Sequence, residues 1–203
     1  MWINIEQNTD EWLNSRLGKA SASNAAKWMA NYGKAFGEPA NKYALQIALE
    51  RITGKSSGEN YINAHMERGH EQEPIARKLY EEAHFIEVTN GGMFDCGLYS
   101  SSPDGLIGDD GVIEIKSVIA STQFKTLQRD SFDPAYLWQL LSHLDCSQRD
   151  WVDYVSYCSD FPEHLQLLVY RLYAWDYTDK ITMLRDRRKE FLSLVDKIEG
   201  QLK

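Results

Sequence analysis

The stretch SSPDGLIGDDGVIEIKS, residues 101–117, sets an acid in a Pro103-Asp104-Gly105 turn, then places Glu114 and Lys116 two apart in an apolar run. GDDG at 108–111 is a second turn, so residues 103–118 read as a β-hairpin. Along a strand alternate side chains share a face. Ile113 and Ile115 therefore point one way, toward a core, while Glu114 and Lys116 point the other. The turn brings Asp104 across from them. Two carboxylates and an ammonium at one spot make either a solvated hairpin face or half of a metal site. The flanking Val112, Ile113, Ile115 and Val118 favour the second, because charges on a central strand are costly unless paired or metal-bound. Asp109 and Asp110, set between glycines, read as turn residues.

Outward from the hairpin the pattern alternates between the two periods. Residues 21–30, 41–52, 65–84, 134–145 and 179–203 carry apolar residues at helical spacing. Ser21 or Ser23 is the expected cap of the first of these, and Pro74 is expected to kink the third or to start a new helix. Residues 93–100, 105–107, 112–118, 150–158 and 166–175 read as strands. Residues 31–39 and 54–60, rich in Gly and polar side chains, read as flexible connectors. The expected fold class is α/β: a central mixed β-sheet flanked by α-helices, one domain spanning 1–203.

Composition bounds the function. The chain has 203 residues, 43% apolar and 26% charged, which suits an ordinary globular domain. No apolar run reaches the roughly 18–20 residues of a membrane helix, and MWINIEQNTDEW lacks the basic start of a signal peptide. Cys96, Cys146 and Cys158 have neither CxxC spacing nor even number, so they read as small buried hydrophobes in a reducing compartment. His65, His70 and His143 show no zinc spacing and read as structural. The net charge of −8 argues against a nucleic-acid binder on average charge alone. It does not exclude one whose carboxylates hold metal ions that meet the phosphate.

Pro103-Asp104, nine intervening residues, then Glu114-Ile115-Lys116 resembles the PD-(D/E)xK nuclease signature. SRLGKASAS (15–23), RGHEQEPIAR (68–77) and AYLWQL (135–140) surround it in an order similar to that of phage lambda exonuclease-type viral recombination nucleases. That resemblance implies a restriction-endonuclease-like core and assigns roles by position. Asp104, Glu114 and the main-chain carbonyl of Ile115 would ligate the catalytic metals, and Glu73 would supply an acid at the second. Lys116 would serve the attacking water, and Gln139 would position the water or the lysine. Arg16, Ser23 and Ser102 would hold the 5′-phosphate of a DNA end, with Ser21 beside them. The implied cofactor is Mg²⁺, two ions per site, with Mn²⁺ able to substitute. The implied partners are duplex DNA ends, a single-strand annealing protein and two further copies in a ring-shaped homotrimer, in the cytoplasm of a bacterial host. The implied activity is 5′→3′ degradation of one strand to 5′-mononucleotides.

Other readings use the same residues. A restriction- or repair-like endonuclease on this core would cut closed circles. A catalytically silent DNA-end or protein-binding module would keep the fold without the chemistry. An iron–sulfur branch needs four cysteines, and a glycosidase built on Glu73 and Glu114 leaves Lys116 unexplained. The chain departs from a duplex-tracking protein in having no basic stripe: Lys19, Lys27, Lys34, Lys42, Arg51 and Lys55 scatter through the N-terminal part. Trp2, Trp12, Trp28 and Tyr32 are candidates for base stacking, with core packing as the plain alternative.

Overall fold

The computed structural model describes residues 1–57 and 64–203, and the side chains of all of these except 64–67. Two sheets form. The larger has five strands in the order β3 (Thr89–Asn90), β6 (Gly105–Ile107), β7 (Gly111–Ser117), β8 (Trp151–Tyr157) and β9 (Leu167–Tyr173). β7 and β8 are parallel and the other pairs antiparallel, so the sheet is mixed. The smaller sheet orders β1 (Trp2–Ile3), β4 (Met93–Asp95), β5 (Tyr99–Ser101) and β2 (Ala20–Ser21). The helices are α1 (Asp10–Ser15), α2 (Ala25–Met29), α3 (Glu38–Thr53), α4 (Ala64–His84), α5 (Ala120–Arg129), α6 (Leu137–Ser147) and α7 (Thr178–Leu202). The expected mixed sheet flanked by helices is borne out.

β7 is covered on both faces. Ile113 and Ile115 pack with Ala76 and Tyr80 of α4, while Val112 packs with Leu140 and Leu141 of α6. Every residue of β8 is buried. Glu114 therefore lies under α6 with 2% of its surface exposed, and the solvated-hairpin reading fails for it. A second core lies around Phe191 of α7, with Trp28 and Tyr43 stacked on it and Phe36 against its edge.

Several local expectations need correction. Residues 93–100 are not one strand: Gly97, at φ +81°, turns the chain between β4 and β5, and its N–H donates to Asp95 Oδ1 at 2.9 Å. Ser23 caps no helix; residues 22–24 form a 3₁₀ turn ahead of the short α2. α4 continues past Pro74, so no new helix starts there. Pro74 and His70 both lie on the solvent side, where water can meet the carbonyl that proline leaves without a partner. Of the apolar residues at helical spacing in that segment, Ala76 and Tyr80 are buried while Ile75 and Ala83 are exposed. Residues 31–39 are pinned: the buried Arg187 donates from Nη2 to the carbonyl of Lys34 at 2.9 Å and from Nε to that of Trp28 at 3.1 Å. The connector expected at 54–60 lies partly outside the described residues. Cys146 and Cys158 are buried as expected, whereas Cys96 is only half-buried. No helix among the described residues is long and apolar enough to cross a membrane.

Candidate active site

Asp104 closes the start of β6. Its N–H donates to the carbonyl of Ile113 at 3.0 Å, and its Oδ2 accepts the N–H of Ile115 at 2.6 Å. The carboxylate thus sits where the β6–β7 ladder opens, beside the side chains of Glu114 and Lys116. Arg77 of α4 holds the backbone from behind, donating to the Asp104 carbonyl at 2.8 Å. Glycine is required nearby: a Cβ on Gly91 would fall 1.8 Å from the Pro103 carbonyl oxygen.

Glu114 is the hub. Its Oε1 accepts from Lys116 Nζ and from Gln139 Nε2, the latter at 2.5 Å. His143 Nε2 stands 2.9 Å from Oε2, off the line of a good hydrogen bond. His143 is in turn fixed by Ser101 Oγ, 2.6 Å from Nδ1. Gln139 and His143 are four apart on α6, which places both over the same strand residue. Read as structural from sequence, His143 is a buried neighbour of the central carboxylate. Only the i, i+4 spacing from Gln139 could have signalled it. His70 lines the cleft next to Glu73, and the side chain of His65 lies outside the described residues.

The charges are strongly coupled. Burial would raise Glu114, but the Lys116 ammonium and the His143 imidazole outweigh it and bring the carboxyl down to about 2. Burial would strip Lys116 of its proton, but Glu114 and Asp104 hold the ammonium above the ordinary lysine range. Asp104 is pushed well up by burial, then by Glu114 and Glu73, and Glu73 is pushed up by burial and Glu114. Lys116 acts on all three acids, and Arg77 also opposes the shift of Glu73.

Two cavities meet at Asp104 and Lys116. One, of about 480 Å³, is lined by Glu73, Ile115, Ser117, Thr122 and Tyr136 in addition to that pair. The other, of about 180 Å³, is lined by Arg16, Ser23, Ser102, Glu114 and Gln139. Asp104, Glu114, Lys116, Glu73, Gln139, Arg16, Ser23, Ser102 and Ile115 each line one or both of these two cavities. The Arg16 guanidinium stacks 3.9 Å above the Trp12 ring, and among the described residues its side chain makes no hydrogen bond or ion pair. Trp12 Nε1 donates to Ser102 Oγ at 3.1 Å. The indole, a candidate for base stacking, is instead the buried platform that joins Arg16 to Ser102.

The residues suit a hard cation. Glu114 Oε2 receives no well-aligned hydrogen bond among the described residues, and the mutual repulsion of Asp104, Glu114 and Glu73 is what a cation relieves. No group of three His, Cys, Asp or Glu side chains forms a ready cage among the described residues. Mg²⁺ takes one or two carboxylates and completes its shell with water and substrate phosphate, and Asp104 and Glu114 would be those carboxylates.

A model of the YqaJ-like viral recombinase domain matches residues 11–150. The chain belongs to the YqaJ-like viral recombinase family. An alkaline exonuclease of Laribacter hongkongensis is similar to this YqaJ-like chain at 32% identity and a TM-score of 0.85, over 96% of each chain. The same exonuclease in complex with dAMP is similar at 30% identity and a TM-score of 0.81, over 96% of this chain and 98% of that one. A phage-related exonuclease of Haemophilus somnus shares the fold at 14% identity and a TM-score of 0.66, over 91% and 94%. No curated protein matches the sequence. The expected likeness to phage-type recombination nucleases is borne out.

Proposed function

We propose that this YqaJ-like protein is a Mg²⁺-dependent exonuclease that degrades one strand of duplex DNA in the 5′→3′ direction to 5′-mononucleotides, leaving a 3′ overhang. The family and the similar alkaline exonuclease support a DNA exonuclease. One observation carries the finer reading: the acidic cleft and the Arg16 cavity share Asp104 and Lys116 as their common wall. A terminal phosphate on Arg16, Ser23 and Ser102 would place the next phosphodiester over the acids. The mononucleotide dAMP held by the related exonuclease is a product of that class.

Asp104, Glu114, Glu73 and the Ile115 carbonyl would hold the metal, which supplies Lewis-acid stabilisation of the phosphate and activation of water. The protein's own residues do the rest. Gln139 and His143 fix the Glu114 carboxylate. Lys116, protonated between Glu114 and Asp104, donates to oxygen atoms that gain charge as the bond breaks. Arg16 offers unused donors on a rigid platform, a receptor for a phosphomonoester. A ring-shaped homotrimer and a single-strand annealing protein belong to the same proposal. Of the cations scattered through the N-terminal part, Lys19 and Arg51 pair with Asp95 and Asp196, and Lys42 makes an exposed pair with Glu38.

The test gives wild type and Lys116→Ala linear duplex with and without a 5′-phosphate, and closed circular DNA, in Mg²⁺ or EDTA. Mononucleotides from linear ends alone, faster with the 5′-phosphate, dependent on metal and lost in the variant, are expected. Cutting of circles would replace this reading with an endonuclease. Sedimentation of the purified protein as a monomer would remove the ring.

A further inference from the structure

The segment carrying Arg16, Ser21 and Ser23 is held along its length by one face of α3. Gly18, at φ +70°, donates its N–H to Glu50 Oε2 at 3.0 Å and accepts Arg51 Nε at 2.8 Å. A Cβ at Gly18 would fall 2.7 Å from Arg51 Cγ. Glu50 is buried, and its other oxygen accepts Gln46 Nε2 at 2.9 Å. Two turns earlier on the helix, the buried Tyr43 hydroxyl accepts the Ser21 N–H at 2.9 Å. It also lies 3.2 Å from Ser21 Oγ, which stands 3.2 Å from Ser23 Oγ and accepts Asn24 Nδ2 at 2.8 Å. The Tyr43 ring is locked by its stack on Phe191, 5.7 Å between centroids. Arg16, Ser21, Tyr43 and Glu50 line a cavity of about 160 Å³ behind the phosphate pocket.

We propose that Tyr43 and Glu50 are positioning residues for recognition of the 5′-phosphomonoester: they set the spacing between the Arg16 guanidinium and the Ser21–Ser23 hydroxyl pair. The inference rests on the phosphate-pocket reading above. Neither residue lines the cavity that would take the phosphate. Tyr43 acts through the Ser21 peptide and hydroxyl, and Glu50 through the Gly18 peptide two residues beyond Arg16. A donor set recognises a tetrahedral anion only when its members are held at fixed separation, so loosening the jig costs selectivity.

The test measures binding in EDTA of a blunt duplex with a 5′-phosphate against the same duplex with a 5′-hydroxyl. The proteins are wild type, Arg16→Ala, Tyr43→Phe and Glu50→Gln. Tyr43→Phe keeps the stack on Phe191 and removes only the hydroxyl. It is expected to lower the phosphate-over-hydroxyl preference roughly 3- to 10-fold, the effect of a lost hydrogen bond. Glu50→Gln keeps an acceptor for the Gly18 N–H but removes a negative charge that faces the Arg16 guanidinium, so Tyr43→Phe, which changes no charge, is the deciding variant. A purely structural loss would weaken both duplexes alike and leave their ratio unchanged, which would overturn the inference. If Arg16→Ala abolishes the preference while both α3 variants keep it, the pocket stands and the role of α3 falls. If wild type shows no preference, the pocket and the inference fall together.

Discussion

Burying the Glu114 carboxylate is costly, and Lys116, Gln139 and His143 offset it from three directions. Remove one and the remaining charge is left short of partners. His143→Ala takes away the imidazole that helps hold Glu114 down and leaves Ser101 Oγ unsatisfied. On the proposed reading of Glu114 as a metal ligand, the groups behind it would typically be worth about 10- to 100-fold in metal affinity or activity. The expected result is a Mg²⁺ requirement raised by about that factor, read from activity against metal concentration, with the folded content checked by circular dichroism. An unchanged metal curve would show that Lys116 and Gln139 suffice. At this scale the sequence was informative wherever a motif spacing applied. Asp104, Glu114 and Lys116 stood out because a turn and a period-2 strand leave little freedom. His143 and Trp12 did not, because their partners are far along the chain: Ser101 is 42 residues from His143, and Ser102 is 90 from Trp12.

At the scale of elements, the hairpin and the helices were readable from period alone, and their contacts were not. β7 read either as a strand with one solvated face or as an enclosed one, with its apolar flanks favouring the second, and α4 and α6 do cover both of its faces. The connection into β4 shows how tightly such packing constrains the chain. Gly91 passes so close to Pro103 that a Cβ has no room, and the obstacle is backbone, which cannot rotate away. Trp2 Nε1 also donates to the Gly91 carbonyl at 3.0 Å, fixing the crossing from the other side. Gly91→Ala should therefore cost about 1–3 kcal/mol and lower the melting temperature by several degrees. It should also reduce activity, because Pro103 carries Asp104. A variant with wild-type melting temperature would mean that the Pro103 turn moves freely.

Over the whole molecule, the site works against the fold. Asp104 holds its proton to higher pH in the folded chain than in the unfolded one, because burial, Glu114 and Glu73 oppose its charge. The folded state then binds more protons, and its stability falls as pH rises above the ordinary aspartate value of 3.8. Asp104→Asn removes that charge and can still accept the Ile115 N–H. In EDTA the variant should melt higher than wild type at neutral pH, and the two should converge below pH 3.8, where the carboxyl is protonated in both states. Mg²⁺ should raise the wild-type melting temperature by binding only the folded state, and should raise that of the variant less. Equal melting curves with and without Mg²⁺ would remove Asp104 from the metal site.

By itself the sequence determined the mixed α/β class and the hairpin that sets Asp104 across from Glu114 and Lys116, because hydrophobic period and turn chemistry are local. Glu73, Gln139, Arg16, Ser23 and Ser102 entered only through the family resemblance. Tertiary structure alone decided that Glu114 is buried rather than wet, that residues 31–39 are pinned by Arg187, and that Trp12 and His143 brace the site. It also decided that α3 grips the segment carrying Arg16. Each of these depends on side chains distant in the chain meeting across packed elements, and no local pattern encodes which face will be covered.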